Sequence, residues 1–203
     1  MSRIYENAQE VIVWLGKEEK YSAFAIKSMQ RLKFTMESVF AEVKDQSATS
    51  LSCQSDFYEC QFTDNELVAM TDFFVSYRWF SRIWTVQEHI LARKLVFVCG
   101  TIIEPLDTIL RGSILLPFMA TISSYELPRS TKELQWARDF GEKGVMEYVR
   151  RKLNEPVSSI GISAHYFRNR QATDPRDKVF AIASISRSFV LPCTMQFRDL
   201  TQL

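Results

Sequence analysis

Two short apolar runs punctuate the chain. Val11-Ile12-Val13-Trp14-Leu15 is closed by Gly16, and Leu95-Val96-Phe97-Val98-Cys99 is closed by Gly100. Both are rich in β-branched residues and lack polar alternation, the pattern of strands buried on both faces. Residues 2–8 read as the end of a helix feeding the first run. Between the runs, Phe24, Ala25, Met29, Leu32, Met36, Val39 or Phe40 and Val43 recur at helical spacing, which predicts an amphipathic helix from Tyr21 to about Val43. Strands separated by helices predict an α/β, helix-rich fold with parallel strands in one sheet. Two strands fall short of the roughly four to six of an ordinary sheet.

Capping chemistry fixes further helix starts. Thr63-Asp64-Asn65-Glu66 is a capping-box pattern, so a helix begins there and runs to about Tyr77. A second helical stretch, Trp79 to Arg93, follows with little or no break. Thr131 to Leu153 reads as another helix, weakened by Gly141 and Gly144, with Arg150-Arg151-Lys152 complementing its dipole near the end. In Thr173-Asp174-Pro175-Arg176-Asp177, Asp174 suits the N-cap, Pro175 the first helical position and Asp177 the third. That helix continues through Val179, Phe180, Ile182, Ala183 and Ile185. Gln46 to Ser55 is a polar loop, and no pattern survives beyond Ser188. The division is therefore one domain over 1–188 and an irregular tail over 189–203.

Composition narrows the classes. With 46% hydrophobic and 24% charged residues, 203 residues suffice for one globular core. The 25 basic side chains are balanced by 24 acidic ones, which gives no field for nucleic acid or an anionic membrane. No apolar run approaches the roughly 20 residues of a membrane span and no signal-peptide core opens the chain, so a cytoplasmic protein is expected. Cys53, Cys60, Cys99 and Cys193 lack the paired spacing of a zinc site, and His89 and His165 supply no partners for one, so no metal is expected. Cys99 reads as a small buried hydrophobe. Aromatics reach 13%, a load that either fills a large core or faces a partner.

Chemistry concentrates between Tyr77 and Ala92. On a continuous helix Phe80, Trp84, Glu88 and Ala92 share a stripe, with Gln87 and Leu91 beside it. No basic residue lies three or four positions from Glu88. A carboxylate among large apolar groups is disfavoured in its charged form, which is how acid/base residues are prepared. Alternatively Glu88 reaches solvent, caps a loop, or bonds Arg78, Arg82 or Arg176, and Trp79 and Trp84 simply fill the core. Gly161-Ile-Ser163-Ala-His165 lacks the last glycine and the preceding strand of a nucleophile elbow. No Gly-rich phosphate loop is present.

Taken in order, these segments resemble the fungal heterokaryon incompatibility (HET) domain. The likeness rests on Met1-Ser-Arg-Ile-Tyr-Glu-Asn-Ala8, Val11-Ile-Val-Trp14-Leu-Gly16, Trp79-Phe-Ser-Arg82-Ile-Trp84-Thr-Val-Gln87-Glu88 with Ala92, Val98-Cys-Gly100, and Thr173-Asp174-Pro175-Arg176-Asp177-Lys-Val-Phe-Ala181. The resemblance implies a role in allorecognition and programmed cell death. HET domains are in turn distantly similar to Toll/interleukin-receptor (TIR) domains, some of which cleave NAD with a glutamate in a Trp-x-x-x-Glu pattern. Trp84-Thr-Val-Gln-Glu88 has that spacing, so the resemblance marks Glu88 as the candidate catalytic carboxylate. The family's upstream Ala-Leu-Ser-Tyr-x-Trp-Gly and Trp-Ile-Asp-x-x-Cys-Ile-Asn-Gln strands are not in this sequence. A partial TIR-like parallel sheet flanked by helices is therefore expected, from an N-terminally truncated domain that is catalytically inactive as written. NAD would be a substrate only of a complete domain, and no cofactor is expected. Protein partners or self-association are implied, with an unpaired, apolar edge at Val11 to Leu15.

Overall fold

The computed structural model describes residues 2–32, 62–122, 140 and 160–185. Helix α1 (Ser2–Asn7) leads into strand β1 (Val11–Gly16), and α2 is helical over residues 22–32. Helix α3 (Asp64–Ser76) is followed by one 3-10 turn (Arg78–Ser81) and α4 (Thr85–Leu91). Strands β2 (Leu95–Cys99) and β3 (Ile102–Pro105), then α5 (Leu106–Ile122), α6 (Ile160–Phe167) and α7 (Pro175–Ile185), complete the described elements.

The sheet is mixed rather than all parallel. Its order is β1-β2-β3, with β1 and β2 parallel and β3 antiparallel to β2. Strand β3 is absent from the sequence reading because it is four residues long, contains Glu104 and Pro105, and is recruited by the turn after β2. Gly100 enables that turn with a φ of +57°, a conformation that costs little only without a Cβ.

Among the described residues the sheet is covered on one face, whereas the apolar runs predict strands buried on both. Val13, Leu95, Phe97, Cys99 and Glu104 face the core. The cross-strand rows Ile12–Val96–Pro105 and Trp14–Val98–Ile103 lie on the other face, where Ile12 is 63%, Trp14 65% and Ile103 65% exposed. Among the described residues β1 pairs with β2 alone, in line with the unpaired edge expected there.

The covered face meets a core drawn from α2, α3 and α5. Met29, Leu67, Met70, Phe74 and Ile109 are buried there, with Phe80 and Phe140. Phe80 stacks on Phe97 at 5.9 Å, and Trp79 stands edge-on to Phe97 at 5.0 Å. A second cluster joins Ile83, Val86 and Ile90 to Phe167 of α6 and Ala181, Ile182 and Ile185 of α7, with Tyr5 of α1 packed against it. Helix α4 therefore sits between two apolar bodies.

The capping box at α3 is formed as expected: the Glu66 N–H donates to Thr63 Oγ1 and the Thr63 N–H donates to Glu66. The Asp174-Pro175 start of α7 is also formed, with the Arg176 N–H donating to Asp174 Oδ1 at 2.9 Å. The continuous helix from Trp79 to Arg93 is not. Arg82 is extended and bridges to Gln171; the Gln171 N–H donates to Ser81 O at 2.7 Å and the Ile83 N–H to Gln171 O at 2.9 Å. Those bonds replace the helical ones that Ser81 and Ile83 would make, so the chain breaks there. Phe24, assigned to the apolar face of α2, is exposed. Met36 to Val43, Thr131 to Leu153 apart from Phe140, and the tail over 189–203 lie outside the described residues.

Helices α2 and α5 approach closely because Gly112 has no side chain. A Cβ there would stand 2.5 Å from Met29 Cγ, and Met29 is fully buried. Gly112→Ala gains about 1 kcal/mol of helix propensity but overpacks a filled site at a cost of about 1–3 kcal/mol. The urea midpoint of this variant is expected to fall, and an unchanged or raised midpoint would contradict the packing.

Candidate functional site

Glu88 lies in the first turn of α4, half-buried. Two aromatic side chains from elsewhere in the chain reach its carboxylate. The Trp79 indole N–H donates to Oε2 at 2.7 Å, and the Tyr5 hydroxyl lies 3.5 Å from Oε1. The first is a short, charge-assisted bond and the second is long and weak. Trp79 is held for this task by edge-on contacts to Phe80, Phe97 and Phe140, so its N–H is aimed by the core itself. Arg78, Arg82 and Arg176 are not among the partners of Glu88; Arg176 pairs with Asp174. Burial raises the proton affinity of the Tyr5 phenol, and the adjacent Glu88 charge and hydrogen bond add to the rise.

Trp84 precedes α4 by one residue and packs against the second cluster, one turn before Glu88. Gln87 is buried, and its amide oxygen has no hydrogen-bond partner. Arg82 is exposed in the bridged turn. The structure thus gathers Trp79, Trp84 and Glu88 around one short helix. Trp14 is apart on the open sheet face, Gly16 and Gly100 close the strands, and Asp174, Pro175, Arg176 and Asp177 shape the start of α7. Phe80 does not share a stripe with Glu88, since the break at Arg82 separates them. Gly161 and Ser163, the weak elbow pattern, lie inside α6.

Tyr5 escaped the sequence reading. It is 83 positions from Glu88, and no short-range spacing can reveal such a pair. A second polar group, also unanticipated, sits at the carboxyl ends of the parallel strands. The Tyr77 hydroxyl lies 2.7 Å from Ser22 Oγ and 2.9 Å from the Cys99 sulfur, and it accepts the Glu19 N–H at 3.3 Å. Burial pushes the Tyr77 phenol up, helped by Cys99 and opposed by the Ser22 bond. Beside it is a cavity of about 120 Å³ lined by Glu19, Lys20, Tyr21, Ser22, Asp72, Phe73, Ser76 and Tyr77. This is the place where α/β sheets commonly take ligands. Glu88 does not line it, so the carboxylate and the cavity are separate features.

Residues 1–88 match the family model of the heterokaryon incompatibility protein (HET). The HET match therefore includes α1, β1, α3 and Trp79, and ends on Glu88 itself. It contains all three side chains of the carboxylate site. The segments Val98 to Gly100 and Thr173 to Ala181, which also carried the resemblance, lie beyond it. No curated protein and no solved structure matches the chain.

The tyrosines make alkaline stability a readout of this geometry. A phenol whose folded-state value is raised contributes fully below the unfolded value of about 10, and its contribution is lost as pH climbs through the folded value. Urea midpoints are expected to fall between about pH 9 and 11, less steeply in Tyr5→Phe and in Tyr77→Phe. An identical slope in wild type and both variants would contradict the buried pairs.

Proposed function

We propose that this chain is a HET-type protein acting in fungal allorecognition and programmed cell death, working by protein association and not by NAD cleavage. The observation that carries the reading is the HET match over residues 1–88. The environment of Glu88 supports the non-catalytic half. Trp79 and Tyr5 engage both oxygens of its carboxylate, and these partners belong to two different apolar bodies. Such a group is well suited to tying α1, the 3-10 turn and α4 together. Association is supported by Ile12, Trp14 and Ile103, large side chains left in solvent on one sheet face.

A catalytic reading draws on a different observation: Glu88 is half-exposed one turn after Trp84, in the Trp-x-x-x-Glu spacing of NAD-cleaving TIR domains. Glu88→Gln separates the two. Glutamine keeps an oxygen to accept the Trp79 N–H but loses the charge that would stabilise a positive anomeric carbon. Expression in a filamentous fungus is expected to cause cell death with wild type and with Glu88→Gln alike, and purified protein is expected to release no nicotinamide from NAD. Nicotinamide release that Glu88→Gln abolishes would establish the enzyme instead, and survival of cells expressing folded wild type would remove the cell-death role.

A further inference from the structure

Strand β1 has a neighbour on one side only among the described residues. The alternation of its ladder assigns the free groups. The Val11 N–H donates to Lys94 O, and the register continues through Val13↔Phe97. In a parallel ladder the bonding residues of one strand alternate, so residues 11 and 13 serve β2 while the N–H and C=O of Ile12 and Trp14 point outward. The side chains of those two residues are also the exposed ones. Between Glu10 and Lys17 the edge carries no charge and no proline, two devices that normally discourage pairing, and the irregularity of its ladder lies past the paired residues, between Trp14 and Gly16.

We propose that this edge pairs with the β1 edge of a second copy of the chain, antiparallel and centred on Val13, joining two three-stranded sheets into one. The proposal deepens the association reading above and rests on it for its biological meaning. The centring follows from the free groups: a two-fold axis at Val13 sets Ile12 opposite Trp14 of the second copy, twice. Each pair has outward N–H and C=O on both residues, which gives four main-chain hydrogen bonds. It also creates two aromatic–β-branched cross-strand contacts on the open face, a favourable combination in sheets. Charge selects the same direction. The acidic Glu10 then meets Gly16 of the second copy, beside its exposed Lys17, whereas parallel pairing in register sets Glu10 against Glu10 and Lys17 against Lys17. The result is an isologous, closed dimer. An edge about 20 Å long buries less than the roughly 1,000 Å² of a durable interface, so the dimer is concentration-dependent.

Sedimentation velocity of the full chain over a range of concentrations is expected to show monomer and dimer, with Trp14→Lys dimerising at least about tenfold more weakly while its circular dichroism spectrum is unchanged. A wild type that stays monomeric would leave the edge to a strand from another protein and overturn self-pairing; so would a dimer that Trp14→Lys leaves intact. Register is read separately, with Cys53, Cys60 and Cys193 replaced by serine. An equal mixture of Ile12→Cys and Trp14→Cys proteins is expected to form a disulfide-linked dimer under mild oxidation, and neither protein alone. Absence of the mixed product, or equal linkage within either single variant, overturns the proposal. Cell death from a chain that remains monomeric would sink this pairing alone, whereas a dimer that never kills would sink only the cell-death reading.

Discussion

The packing of Phe80 and Trp79 on Phe97 is the constraint from which most of the structure follows. Phe80 lies nearly flat on Phe97 and Trp79 stands edge-on to the same ring, so one short segment seals the covered face of the sheet. Its neighbours are then placed without further choice. Tyr77 is delivered to the carboxyl ends of the strands, where it meets Ser22 and Cys99, and the Trp79 N–H is aimed at Glu88. A regular helix through 77–84 could not satisfy all of these positions, since it would turn Tyr77, Trp79 and Phe80 in fixed directions about 100° apart per residue. The 3-10 turn and the break at Arg82 accommodate that conflict, and the bridge to Gln171 satisfies the backbone groups the break sets free.

Local chemistry was legible and distant chemistry was not. The capping box at Thr63 and the N-cap at Asp174 are short-range hydrogen-bond patterns, and both form where their residues stand. The two apolar runs became strands, because β-branched residues without polar alternation have few other outcomes. Ile12 and Trp14 are nonetheless exposed, since an apolar pattern reports what can be buried and not which layer the tertiary fold supplies. Strand β3 depends on a turn at Gly100 that only its pairing with β2 makes meaningful. The site was half legible: Trp84 and Glu88 stand out by spacing and Trp79 by proximity, whereas Tyr5 is joined to them through tertiary packing alone.

Glu88 illustrates how the same surroundings suit different roles. A half-buried carboxylate loses hydration on its inner side, which donors from the protein have to replace. Here an indole supplies a short bond, fixed by three ring contacts that leave Trp79 little freedom. A catalytic base needs an oxygen free to receive a proton or approach a substrate. A tether needs the opposite, both oxygens engaged by groups from separate elements. At Glu88 the two oxygens are held unequally, one by a short bond from the sheet core and the other by a long contact from α1.

That asymmetry ties the carboxylate to the open edge of the sheet. Helix α1 is six residues long, too short to be stable by itself, and it reaches the rest of the molecule through Tyr5 and the second cluster. Only Ala8, Gln9 and Glu10 separate it from β1, so the seating of α1 on α4 limits where the first residue of the strand can lie. From the far side, Lys94 holds Glu10 at 2.6 Å and accepts the Val11 N–H on its carbonyl. Strand β1 is therefore positioned by its ladder to β2 and by an anchor that ends on Glu88. The presentation of Ile12 and Trp14 to solvent is set by the register of that ladder, and the α1–α4 contact bears on where the strand begins.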